Sequence, residues 1–206
     1  MASFPRLSET GRLEAFSDGV FAIVLTLLVL DLLPGERAVG GSELLAGWPR
    51  YFAFLTAFVT VSSIWLSHHN AFTRIRRVDP VVLVVNLGLL LGTTLVPWPE
   101  ALIGSALGSG DAEAETVAVL VYSGVTLVLG IAWTALETYL ARSPRLLAAP
   151  ADAVWMRRNA RFSAGSIGVA GVGALLAVVA PIAAVALFLV VPGLCLLVGL
   201  LERDPA

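Results

Sequence analysis

Long apolar runs divided by short polar, Pro- or Gly-marked breaks set the pattern of this chain. The first run, EAFSDGVFAIVLTLLVLDLL, stops at Pro34-Gly35, and the third opens after Asp79-Pro80 and stops at Pro97-Trp98-Pro99. Because a bilayer core about 30 Å thick takes about 20 helical residues, the runs predict six membrane-spanning helices at roughly 14–33, 50–70, 81–96, 116–140, 163–180 and 182–201. Pro181 alone separates the last two, either as a tight turn between two short spans or as a kink in one long bent helix, and Pro192 is a second kink position. The fold class expected is all-α, a single polytopic membrane domain over 1–206. The first run is too long for a signal-peptide core and carries Asp18, so it reads as a retained span.

Composition agrees, with 58% hydrophobic and 14% charged residues, against ordinary soluble averages of about half and about a quarter. Charge placement adds orientation. All thirteen basic residues are Arg, and eleven of them fall at the termini or in the segments after spans two and four, while only Arg37 and Arg50 fall on the opposite side. By the positive-inside rule this asymmetry places both termini in the cytoplasm and calls for an even number of spans. Glu36, Glu43, Glu100, Asp111, Glu113 and Glu115 collect on the outer side, an acidic rim that either mildly concentrates cations near an entrance or is ordinary solvated loop chemistry.

Several chemistries are excluded. The single Cys195 has no disulfide partner, and His68 and His69, about 100° apart on a helix, find no third ligand for a metal. Ser67, His68 and Asp18 do not make a hydrolase triad, since neighbouring side chains on a helix do not face each other and no nucleophile elbow is present. The GVAGVG run lies in an apolar span with no strand before it and is not a nucleotide loop. Gly88-x-x-x-Gly92 and the glycines at 165, 168, 171 and 173 fit close helix packing instead. No enzyme or cofactor is expected.

Asp18 is the feature that asks for an explanation. An ionisable side chain near the start of a membrane helix is costly without a partner. The predicted topology brings Arg12 and Asp18 on the first span to the same depth as Trp65, His68 and His69 on the second, where either they form a hydrogen-bonded set or the two histidines simply sit among headgroups beside Trp65. Helical phase then separates two sides of the first span: Phe16, Ile23, Leu27 and Leu30 make one stripe flanked by Gly19 and Thr26, and Asp18 projects about 140° from Ile23. Periodicity leaves open whether that stripe meets lipid, protein core or an axis shared by several subunits.

Arg12 with Phe16-Ser17-Asp18-Gly19-Val20-Phe21-Ala22-Ile23, then Thr26-Leu27-Leu28-Val29, and Trp65-Leu66-Ser67-His68-His69-Asn70 on the second span together resemble the bacterial members of the transmembrane protein 175 family of potassium channels. Animal members are similar to two fused copies of such a unit. The resemblance implies a homotetramer in the bacterial plasma membrane, with four first helices lining a central pore and no carbonyl filter loop. It implies that Ile23 is the narrowest constriction, that Leu27 and Leu30 continue the pore wall, and that Thr26 offers a hydroxyl to the ion path. Phe16, Ser17 and Asp18 form the family's FSD motif. Arg12, Asp18, Trp65 and one of His68 and His69, the first being the choice, match an interhelical network that holds the pore helix in register. The function implied is a passive, weakly selective potassium channel with a hydrophobic gate. A proton-coupled cation transporter or pH sensor built on Asp18 and His68/His69 is the alternative, and a non-conducting scaffold a third reading.

Overall fold

The computed structural model describes residues 8–33 and 40–201. The Pro34-Gly35 stop, Glu36, Arg37, Arg6 and Arg203 lie outside those residues. Within them the protein is helical almost throughout. A two-residue strand β1, Ser8–Glu9, leads into α1, Gly11–Leu27, which tightens into a 3-10 stretch at Leu28–Leu32. There follow α2, Gly41–Ala46, then α3, Trp48–Phe72, and a strand β2, Arg77–Val78, antiparallel to β1 with Ser8 opposite Val78. The remaining helices are α4, Pro80–Leu95, α5, Pro97–Ser109, α6, Ala112–Ala141, α7, Asp152–Val179, and α8, Pro181–Leu201.

Local chemistry explains the starts. Asp79 Oδ1 accepts from the backbone N–H groups of Val81 and Val82, each at 3.1 Å, and Pro80 occupies the first turn where no donor is needed. Asp111 caps α6 in the same way through Glu113 N at 2.9 Å. One difference from the sequence expectation lies at Pro97, where the third run is read as stopping. A new helix begins there instead, because prolines in a first turn replace N–H groups that have no helical acceptor.

Among the described residues, five helical stretches are long and apolar enough to cross a membrane: Gly11–Leu32, Trp48–Phe72, Pro80–Leu107, Ala112–Ala141 and Asp152–Val179. α6 and α7 pack along one another, α4 and α5 lie against α6, and α1 leans on α3 and α4. Gly92 lets α4 approach α6, since a Cβ there would meet Leu129 Cδ2 at 2.7 Å, and Gly130 likewise admits Ser166 of α7. Gly173 meets Phe188 of α8. Gly88, Gly165, Gly168 and Gly171 face open space, so of the glycines expected to bring helices together only Gly92 and Gly173 do so within the chain.

The arginine-rich end is knitted tightly. Arg74 donates to the Asn70 carbonyl at 2.8 Å, lies 4.3 Å over the Trp155 ring and sits 3.9 Å from Asp152, joining α3 to α7. Backbone bonds from Arg76 N to Leu146 O and from Ala148 N to Arg74 O close the loops over a core that includes Phe72, Ile75, Val78, Leu136, Leu140 and Met156. At the other end Glu100 departs from the exposed rim expected of it. It is 1% exposed and accepts from Thr56 at 2.8 Å, Tyr122 at 3.0 Å and Thr60 at 3.4 Å. A carboxylate one residue past a Trp-Pro pair reads as loop chemistry, but α5 continues helically and turns it inward among hydroxyl donors.

Candidate functional site

Two faces of α1 have opposite fates. Leu13, Ser17, Phe21, Val24 and Leu28, spaced by four, four, three and four, are buried against α3 and α4. On the other side Phe16, Ile23, Leu27 and Leu30 are between 53% and 59% exposed, with Gly19 and Thr26 open beside them. Four large apolar side chains in one line, on a helix whose back is packed, form an unfilled apolar face. Thr26 interrupts that face with oxygen. Its hydroxyl hydrogen is directed to the carbonyls of Ala22 and Ile23, both 2.9 Å away, so its lone pairs face outward.

The back of α1 is fastened by a buried polar chain. Ser17, 0% exposed, donates to Leu13 O at 2.9 Å and accepts from Asn86 Nδ2 at 3.0 Å. Asn86 Oδ1 lies 2.9 Å from His68 Nε2, and because the Asn86 amide hydrogens point to Ser17, the ring nitrogen is the donor of that bond. The His68 ring stacks on Phe72 at 4.0 Å and meets the edge of Phe21 at 5.3 Å. Three helices, α1, α3 and α4, thus share one hydrogen-bonded string with every member satisfied.

A second, outer contact sits about 100° round the helix from Ser17. Trp65 Nε1 donates to Asp18 Oδ1 at 3.0 Å, and His69 stacks on Trp65 with centroids 5.7 Å apart. The set expected around Asp18 is therefore divided. Asp18, Trp65 and His69 are brought together at the protein surface, while His68 turns inward to Asn86 and Ser17. Arg12 is exposed, and no ion pair joins it to Asp18 among the described residues. The cause is helical phase: successive histidines cannot share a direction, and the side that holds Phe21 and Ser17 takes the first of them.

Asn86 is the residue that sequence reasoning passed over. Its signal was present as the lone amide within PVVLVVNLGLLLG, where a buried polar group in an apolar span demands a partner. Among the described residues no group of three His, Cys, Asp or Glu is placed to hold a metal ion.

Comparisons with known proteins fit this arrangement. The sequence profile of the family described as "Endosomal/lysosomal potassium channel TMEM175" matches residues 12–97, which include α1, the Trp65–Asn70 segment and Asn86. A protein named as a potassium channel in Streptomyces collinus is 39% identical over 166 residues, covering 79% of this chain and 80% of that protein. The human endosomal/lysosomal proton channel TMEM175 is 38% identical over 86 residues, 36% of this chain and 17% of its own length. The crystal structure of a lysosomal potassium-selective channel TMEM175 homolog from Chamaesiphon minutus superposes with a TM-score of 0.77 at 33% identity, covering 92% of this chain and 97% of that one. With its first two long helices, the polar string behind them and a fold in common, this chain belongs to the TMEM175 family of ion channels, a family without enzymatic activity.

Proposed function

We propose that the protein is a passive potassium channel of the bacterial plasma membrane, formed by four copies arranged so that the exposed faces of their α1 helices surround a common axis. The observation that carries this reading is the line Phe16, Ile23, Leu27, Leu30, open on one side of a helix whose other side is locked by Ser17, Asn86 and His68. Potassium conduction is drawn from the bacterial relatives named potassium channels. In this arrangement α8 is the sixth span, and both termini are cytoplasmic with the arginine-rich end.

Ile23 forms the narrowest ring, with Leu27 and Leu30 continuing the wall and Thr26 supplying outward-facing oxygen between them. A collar of isoleucines has no group to replace a hydration shell. Closed, it stops ions by dewetting, and dilated it passes them partly hydrated, which favours potassium over the more tightly hydrated sodium only moderately. The two polar contacts on the back, Ser17–Asn86–His68 and Asp18–Trp65, keep the collar in register rather than handle the ion.

Conduction through reconstituted protein tests the proposal. Reversal potentials that follow the potassium gradient and ignore an imposed proton gradient support it; a shift with the proton gradient would favour proton-coupled transport. The latter reading draws on the proton-channel name of the human relative and on the surface position of Asp18 and His69. Flux no greater than in empty vesicles would leave a scaffold.

A further inference from the structure

A cavity of about 390 Å³ with no residue of α1 in its lining opens between α3, the junction of α4 and α5, α6, α7 and α8. Its walls are mainly apolar and aromatic, with Trp133, Trp155 and Phe162 among them, and among the described residues Glu137 is the one charged side chain that lines it. Glu137 is 3% exposed. Ser163, one turn beyond Asn159 on α7, donates to its Oε2 at 2.6 Å, and no other hydrogen bond or ion pair reaches this carboxylate among the described residues. No arginine among the described residues lines the space.

A carboxylate in such a setting is incompletely compensated. One hydroxyl does not replace the water that a buried carboxylate gives up, and a cation set beside it favours the charged form and offsets part of that loss, against the cost of the cation's own desolvation. Small inorganic cations are poorly served, because the walls hold scattered hydroxyls and amides instead of a ring of oxygens. Aromatic faces beside a single carboxylate suit a different cation, one with weakly hydrated, alkylated nitrogen and an apolar body. Trp155 already receives the Arg74 guanidinium over its ring, so the local aromatic surface accepts such charge. Volume is in proportion, since pockets for organic ligands run from about 300 Å³ upward.

We propose that this cavity is a binding site for an organic ammonium ion, its charged nitrogen at Glu137 and its apolar part against Trp133 and Phe162. The site is separate from the α1 face and does not depend on what the channel conducts. Benzyltrimethylammonium serves as probe, titrated calorimetrically into the detergent-solubilised protein. Saturable binding is expected in the wild type, weakened at least about tenfold in Glu137→Gln, a change that keeps an acceptor for Ser163 and so preserves the fold. Binding to Ile23→Ala should match the wild type. Benzyl alcohol, which has no charge, should bind at least about tenfold more weakly than the ammonium to the unaltered protein. Absence of saturable binding, equal affinity for Glu137→Gln, equal affinity for benzyl alcohol, or loss of binding in Ile23→Ala would each overturn the assignment, the last by moving the probe to the pore.

Discussion

Ile23 and Asn86 occupy opposite ends of the range of consequences a single side chain can have here. In the proposed pore Ile23 contributes nothing to the fold of its own subunit, being 59% exposed, so Ile23→Ser should leave thermal stability nearly unchanged. Liposome flux should rise and discrimination between potassium and sodium should fall, and unaltered currents would remove Ile23 from the constriction. Asn86 acts the other way. Asn86→Leu removes the acceptor of His68 and the bond that Ser17 accepts inside the bundle, while Ser17 keeps its bond to Leu13 O, and at about 1–3 kcal/mol for a buried polar group left bare it should lower the unfolding midpoint clearly. Trp65→Phe removes only the more exposed bond to Asp18, with a cost of about 1 kcal/mol or less, so the order of midpoints should be wild type, Trp65→Phe, then Asn86→Leu. A reversed order would mean that the outer contact, and not the buried string, secures α1.

At the level of whole helices, close approaches decide what can be changed. Gly92→Leu should separate α4 from α6 and disrupt assembly, whereas Gly88→Leu, pointing to open space within the subunit, should leave a folded subunit; size-exclusion profiles after detergent extraction distinguish the two. The same comparison shows why parts of the fold were legible and others were not. The stripe of α1 follows from a 3.6-residue period and needs no knowledge of its neighbours, and Asp18 with Trp65 follows from matching depths on adjacent spans. Which glycine touches a neighbour depends on helix rotation, which a uniformly apolar stretch such as GVAGVGALLAVV does not encode. Burial of Ser17 and the inward turn of His68 likewise depend on α4, whose clue at that depth was Asn86. α5 was hidden because Pro97 and Pro99 mark a helix start as well as they mark a stop.

Over the whole molecule, the proposed assembly makes a claim about distance that the subunit alone does not. A Cys at position 23 would lie near its copies around a central axis, so Ile23→Cys under oxidising conditions should give a dimer band on non-reducing gels, while a Cys at Val84, 68% exposed on α4, should not. Monomer at both positions would contradict an axial α1. The change of helical pitch at Leu28 bears on the shape of such an opening. Past Leu27 the chain advances by three residues per turn, a geometry in which side chains three apart eclipse one another about 6 Å apart along the axis. Leu30 therefore stands almost directly above Leu27 instead of lagging round the cylinder as a continuous α-helix would place it. Four copies would stack these leucines as two level hoops, a short straight bore that rotating any one helix would break at both heights together.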